Sequence, residues 1–596
     1  MAALALSMVS LQSCLDFDEP GAELNQNETI VQPSISTGRA DSIDYMLELT
    51  QEQFNDVYRR AQVPIQQALT GIYAMRGGKE GGMPQAHSYQ YQFCLSTDNY
   101  AQFATVPHSD FMAGTLKSTY AISKEFNDGP NGAYGIVRNA LAPALNNPVV
   151  DSIPEIKALY LLLFNYSSVE VADIYGPLPY QDFKDNRTAS PFVYNDLRTV
   201  YYTAKANVDS IVKCLKHYET RPDWYKGMIQ DFVHSSFPLY NFSYYSTGGM
   251  DIWRRFANSF KLRLALHLTK IEPETAKQWA EEAVADGVIE KTTQEVGLFI
   301  SFIGCNHPLA EISGTWGDTR LNASFESLLM SLGHPYASYL FDKNSDPIAN
   351  VGHDSGSSAL ESTPANARLV GMRGGVTPGI TQAVANNQYI AYSKIKNEIF
   401  YIYAPPLYLM KLSEVCFLRA EGALRGWNMG GSAESFYNEG IKYAYLEDRD
   451  RPDNSYLKAL DEYMERAEAI DYTYVDPSGN TPDMPSVTKI GVKWNEADDL
   501  ETKLEKIITQ KYIAAFPYSY EPWVDLRRTG YPKLFPVLNP GDGDGSLKYG
   551  DIIRRMVFGA EDPQTIQDIN DTGLPALGGP DQQATRLWWD VDKSNF

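Results

Sequence analysis

The chain has 596 residues, 43% hydrophobic and 21% charged. That is ordinary globular material, too long for one small core and too apolar for extensive disorder. Lys and Arg number 51 against 74 Asp and Glu, a formal charge of −23, so a broad phosphate-binding face for nucleic acid is excluded. Beyond the first residues nothing approaches the roughly 20 consecutive apolar residues of a membrane helix.

Residues 1–14 read MAALALSMVSLQSC, a short apolar run that ends in small residues and a cysteine. It is too short to span a bilayer and has the form of a secretory signal without a basic n-region. Leu11-Gln12-Ser13-Cys14 resembles a bacterial lipobox, in which Cys14 becomes the lipidated first residue of the mature protein; Gln12 departs from the usual pattern. Residues 15–50 are polar and poor in apolar side chains, the composition of a tether. Several acyl chains on one cysteine anchor firmly where a single chain does not. Cys94, Cys214, Cys305 and Cys416 lie more than 90 residues apart with no CxxC, which excludes a zinc ribbon or redox pair and points to isolated buried thiols.

Helical periodicity dominates the rest. The spacing predicts a helix over 154–175 with Ile156, Leu159, Leu163, Tyr166 and Val169 on one stripe, opened by Pro154 and stopped by Gly176-Pro177. A second runs over 193–218, with Val200, Ala204, Val208, Ile211 and Leu215 in register. Two helical hairpins follow, one from Trp253 to Val288 and one from Leu407 to Tyr445. In the second, Ala420, Gly422, Gly426, Ala433, Tyr437 and Gly440 are placed for close helix approach, as in a tetratricopeptide unit. Residues 300–400 are rich in Gly, Ser, Asn and Pro, and 471–498 and 538–587 are turn-rich; such segments on a rigid scaffold commonly carry binding.

Catalytic signatures are missing: there is no GxxxxGK[ST], HExxH or GxSxG. Gly352-His353-Asp354-Ser355-Gly356 holds the residue types of a triad at the wrong spacing. Asp542-Gly543-Asp544-Gly545-Ser546 opens like a calcium loop but lacks the later glutamate, so a solvated turn is favoured and a structural calcium ion is the alternative. Otherwise the sequence implies no cofactor and no metal. What stands out is a set of aromatic and polar clusters at 88–103, 237–251 and 313–322. Sugars need such a mixture, with a ring face for the apolar side and Asp, Asn and Arg for the hydroxyls.

Trp253-Arg254-Arg255-Phe256-Ala257-Asn258-Ser259-Phe260-Lys261-Leu262-Arg263-Leu264-Ala265 resembles a signature of the SusD/RagB family of outer-membrane lipoproteins. So do Ala172-Asp173-Ile174-Tyr175-Gly176-Pro177-Leu178-Pro179-Tyr180 and the block 505–532 with Glu521, Trp523, Asp525, Arg527 and Arg528. Asp16, Asp18 and Glu19 resemble the acidic export signal of these lipoproteins. The family's G-Y-x-D-P-R element is replaced by Gly333-His334-Pro335-Tyr336, without the arginine.

The resemblance implies a mainly α protein, a SusD-like α/α superhelix of four tetratricopeptide-like helix pairs with a loop-rich ligand-binding part. The SusD-like domain would cover 51–596, with the loop-rich insert at about 300–400. It also implies a non-catalytic lipoprotein held at the outer membrane by Cys14, facing outward, that binds a glycan or oligosaccharide. The glycan would pass to a SusC-like TonB-dependent barrel. A peptide-uptake protein of the same fold, a structural lid without a ligand, and a glycoside hydrolase are the alternatives. Trp253, Arg263, Trp523, Arg527 and Arg528 are assigned to the scaffold or its barrel contact. The family's own ligand residues do not transfer onto the divergent loops. The candidates read from this sequence are Asp98, Asn99, Tyr100, Tyr244, Tyr245, Trp316, Arg320 and Arg373.

Overall fold

The computed structural model describes residues 38–78, 84–107, 111, 120–123, 128–236, 239–240, 249–300, 304–344, 367–376, 391–401, 405–444, 455–479 and 481–596. Cys14, the acidic stretch after it, Gly352-His353-Asp354 and the pair Tyr244-Tyr245 lie outside the described residues.

The body is mostly helical. In chain order the main helices are α1 (Gln51–Leu69), α2 (Gly129–Leu145), α3 (Pro154–Tyr175), α4 (Leu197–Tyr218), α5 (Asp223–Ser236), α6 (Gly249–His267) and α7 (Pro273–Asp286). They continue as α8 (Ala323–Leu332), α9 (Leu412–Leu424), α10 (Ala433–Tyr443), α11 (Leu500–Ala515) and α12 (Tyr520–Thr529). Several of their starts carry side-chain caps. Thr50 and Gln53 form a reciprocal capping box on α1, and Asp196, Ser432 and Asp499 cap α4, α10 and α11. The helix α3 begins at Pro154 and ends where Gly176 takes φ 99°, the left-handed backbone that glycine tolerates.

Neighbouring helices pack in a continuous path: α1 on α2, α2 on α3, α3 on α4, α4 on α6, and α6 on α7 and α9. The path goes on from α9 to α10 and α11. This is the expected tetratricopeptide-like arrangement, in which each pair buries a face against the next. The expected stripe on α3 is buried, but so is every residue of that helix except Glu170. The helix sits at the centre with neighbours all round, and its polar residues are therefore paired. Glu155 meets Arg221 and Tyr225, Lys157 meets Asp151, and Asn165 meets Tyr180.

The second hairpin differs from its expected form at one end. Leu407–Met410 is a strand, and α9 starts only at Leu412. Pro405-Pro406 just before it favours extended backbone, and the segment pairs antiparallel with Val296–Leu298, which pairs in turn with Leu239–Tyr240. Two smaller pairings, Ala104–Thr105 with Arg320–Leu321 and Thr473–Tyr474 with Met484–Pro485, serve the loop-rich part. Of the hairpin's small residues, Gly440 sits where the two helices approach, Gly422 lies against the connecting loop, and Gly426 has open space and a φ of 78° at the end of α9. A Cβ at Gly440 would lie 2.7 Å from the Phe417 ring, and one at Gly422 would lie 2.6 Å from Met429 Sδ. Gly440→Val should therefore cost about 1–3 kcal/mol by forcing α9 and α10 apart, seen as a lower denaturation midpoint with an unchanged m-value.

Cys94, Cys214 and Cys416 are buried free thiols; Cys305 is only half-buried. The Asp542–Ser546 stretch is a surface turn in which Asp544 accepts from Ser546 and from the Gln583 backbone N–H.

Candidate ligand-binding site

The family-like arginines form one buried polar system inside the scaffold. Arg263 on α6 reaches Glu414 of α9 in a bidentate pair (2.7 and 2.9 Å). Arg528 on α12 holds Glu421 (2.8 and 2.5 Å) and Asp525 (2.9 and 2.8 Å). Lys511 of α11 lies 2.8 Å from Asp525 and 3.2 Å from Glu521, whose other neighbour is His267 Nε2 at 2.9 Å. Asp173 near the end of α3 accepts from Tyr201, Tyr520 and the Trp589 indole, each at 2.7 Å. Trp253, Arg263, Trp523, Arg527 and Arg528 are all buried. They serve the scaffold, and Arg263 also lines a small cavity of about 50 Å³ with Arg76, Tyr166 and Glu414.

The sequence candidates separate into distinct environments. Asp98, Asn99 and Tyr100 form a short helix that continues a wide π-type turn over Gln90–Thr97, and all three are buried. Burial pushes the Asp98 carboxyl up to about 6, against hydrogen bonds from Ser519 and Cys94 that hold it down. Asn99 donates to the Cys94 carbonyl at 2.9 Å, and Tyr100 packs 5.0 Å from the Trp523 ring. These three side chains serve the core in this structure. Arg373 is buried too. It donates to the Pro536 carbonyl at 2.8 Å and lies over the Phe535 ring, which fastens the Gly371–Val376 segment to the C-terminal part.

Arg320 is buried in the short strand opposite Thr105, with Nη1 3.4 Å from the Tyr392 carbonyl. It lines a cleft of about 890 Å³ together with Lys343, Lys394, Lys396, Tyr392 and Tyr472. Behind Tyr472, the buried Glu326 accepts from Tyr472 and from the Gly371 N–H, and burial raises its carboxyl to about 7.

Trp316 has a different setting. It ends the π-type turn Ala310–Trp316, which Gly317 closes at φ 74°. That turn packs against Asn397–Tyr401 so closely that a Cβ at Gly314 would meet Asn397 at 2.6 Å. The indole is half-exposed, and the exposed His87 ring lies 4.5 Å away at 42°, with half-buried Tyr91 6.2 Å beyond His87. The three rings form an aromatic ledge at the surface, and Gln90 beside it donates to Asp318 at 2.7 Å. Tyr91 falls within the 88–103 cluster but not among the candidates, and His87 lies just outside it, although their i, i+4 spacing puts both on one helix face.

Comparison with known proteins follows from this geometry. The family model described as SusD-like, SusD and RagB outer membrane lipoprotein, matches residues 46–590. The chain belongs to the SusD/RagB family. A solved structure of a chitin-binding SusD homolog from Flavobacterium johnsoniae has 28% identity and a TM-score of 0.72, over 90% of this chain and 99% of that one. A SusD-like protein from Bacteroides thetaiotaomicron has 26% identity and a TM-score of 0.70, over 89% and 99%. A SusD homolog from Bacteroides vulgatus has 25% identity and a TM-score of 0.71, over 91% and 100%. No curated protein matches the chain. SusD/RagB membership accounts for the helical-pair scaffold and for the buried signatures on α6 and α12. The departure at Gly333-His334-Pro335-Tyr336 is also structural in this member: Gly333 closes α8 at φ 61°, and burial brings the His334 imidazole down to about 3.

Proposed function

We propose that this SusD/RagB protein captures an oligosaccharide non-catalytically at the outer membrane and hands it to a SusC-like TonB-dependent barrel. The lipid on Cys14 would hold it there, facing outward. The observation that carries the reading is the aromatic ledge of Trp316, His87 and Tyr91. Flat rings at a surface, with the half-buried Asp318 carboxylate two residues after Trp316, offer a sugar a stacking face and a hydroxyl partner together. A similar structure described as chitin-binding makes chito-oligosaccharides the first probes. Contact through a shallow ledge keeps affinity modest, which suits a ligand that must be released to a transporter.

Trp316→Ala should weaken oligosaccharide binding by about tenfold, the loss of one well-placed aromatic contact. A half-exposed site with few buried contacts should keep stability within about 0.5 kcal/mol. Calorimetry against a panel of polysaccharides and a peptide mixture, paired with thermal denaturation, checks both. Binding to peptides alone would move the protein to peptide uptake, and unchanged glycan affinity in the variant would remove the ledge from the site.

A further inference from the structure

A second cleft, of about 520 Å³, opens where α3 ends, between α2, the 177–194 segment and residues 558–569. It shares no lining residue with the aromatic ledge. Its walls are aromatic on two sides. Phe183 and Phe192 meet edge-on at 5.2 Å, and Tyr194 and Phe558 meet edge-on at 5.8 Å. All four rings are half-buried, so faces remain open to the cleft. The volume falls within the range of small-ligand sites with this kind of lining.

Arg138 of α2 is the basic residue of this lining. Its guanidinium lies over the Phe183 ring, with Cζ 3.4 Å from the ring centroid. It makes no hydrogen bond or ion pair with any described residue, and its Nε is buried without an acceptor. Arg76, Arg263 and Arg528 are buried, and each holds a carboxylate. Arg373 and Arg527 are buried without a carboxylate, and each donates to backbone carbonyls instead. The half-buried Arg138 has neither kind of partner among the described residues. Stacking on Phe183 leaves the N–H donors at the edge of the plane available for a planar two-oxygen acceptor. Asp128, Glu561 and Asp562 lie on the cleft lining. Their charge disfavours a doubly charged sulfate or phosphate, and their oxygens accept hydroxyl donors.

We propose that this cleft is a second saccharide site, selective for a sugar that carries a single carboxylate, a uronic acid residue. Arg138 holds the carboxylate, the rings flank the sugar, and the acidic residues take its hydroxyls. The site is independent of the ledge, so it stands or falls separately from the capture of neutral glycans at Trp316.

The test is calorimetry on the full chain with cellobiouronic acid and cellobiose, which differ only by a carboxylate in place of a hydroxymethyl group. The acid should bind about tenfold more tightly. Arg138→Gln should abolish that preference, Arg138→Lys should keep part of it, and Trp316→Ala, which removes the ledge, should not remove it. Equal binding of the two sugars would overturn the proposal, as would a preference that survives in Arg138→Gln or disappears in Trp316→Ala. An acetylated tripeptide with a free C-terminus that binds as tightly as the acid would overturn the sugar assignment. Should Arg138→Gln fail to fold, Phe558→Ala on the opposite wall replaces it, with a loss of about fivefold in acid affinity expected and an unchanged affinity counting against the site.

Discussion

An Arg528→Ala chain should lose about 3–5 kcal/mol of unfolding free energy, because it strands buried carboxylates rather than merely deleting a contact. Glu421 and Asp525 are each about 1% exposed and share the Arg528 guanidinium. Arg425 and Lys511 remain as partial neighbours, so the loss stays finite. The same pair sets a pH limit. Burial alone would raise the Glu421 carboxyl, but Arg528 and Arg425 outweigh it and bring it from 4.5 down to about 2. A carboxyl depressed in the folded state gives stability that is complete above its unfolded value and fades as the pH falls through the folded one. At about 1.4 kcal/mol per pH unit, that is on the order of 3 kcal/mol lost between pH 4.5 and 2. Urea titrations across that window should show the fall, and Glu421→Gln should flatten it while starting from a lower plateau. An Arg528→Ala chain with wild-type stability would mean that the network contributes nothing net.

Asp173→Ala should be at least as severe. The carboxylate accepts from Tyr201 of α4, Tyr520 of α12 and the Trp589 indole, and His267 Nδ1 lies 3.6 Å away. Removing it leaves several buried donors with no acceptor, at about 1–3 kcal/mol each, and a loss above about 4 kcal/mol is expected. Asp173→Asn keeps the shape but exchanges one acceptor oxygen for a donor, and about 2 kcal/mol is expected for that change. Guanidinium denaturation of the two variants separates shape from charge, and equal losses would show that the cavity rather than the hydrogen bonding matters.

The scaffold was legible because helical spacing and caps are local. The bounds of α3 follow from Pro154 and Gly176, and the approach of α9 to α10 follows from Gly440. The strand at Leu407–Met410 was not legible, since its helix-like apolar run is overruled by partners more than 100 residues away. The site was harder for the same reason. The residues around Asp98 look like a polar ligand cluster in sequence, yet the Ser519 and Trp523 that enclose them come from the far end of the chain. Trp316 could be singled out because it stands among glycines and polar residues. Arg138 could not, since nothing local in a sequence shows that an arginine lacks a carboxylate.

The tie between Asp173 and Trp589 also bears on timing. Trp589 seals the Asp173 cluster, and the Asn595 carbonyl accepts from Arg425 at 2.7 Å, so both are structural parts of the middle of the fold. Synthesis delivers Trp589 416 residues after Asp173. A nascent chain therefore carries the α3 carboxylate without its full set of donors over that whole stretch, and its native core cannot close early. The interval between emergence of α3 and arrival of Trp589 is a window in which the polypeptide stays loose enough to be threaded, bound by a chaperone or cut.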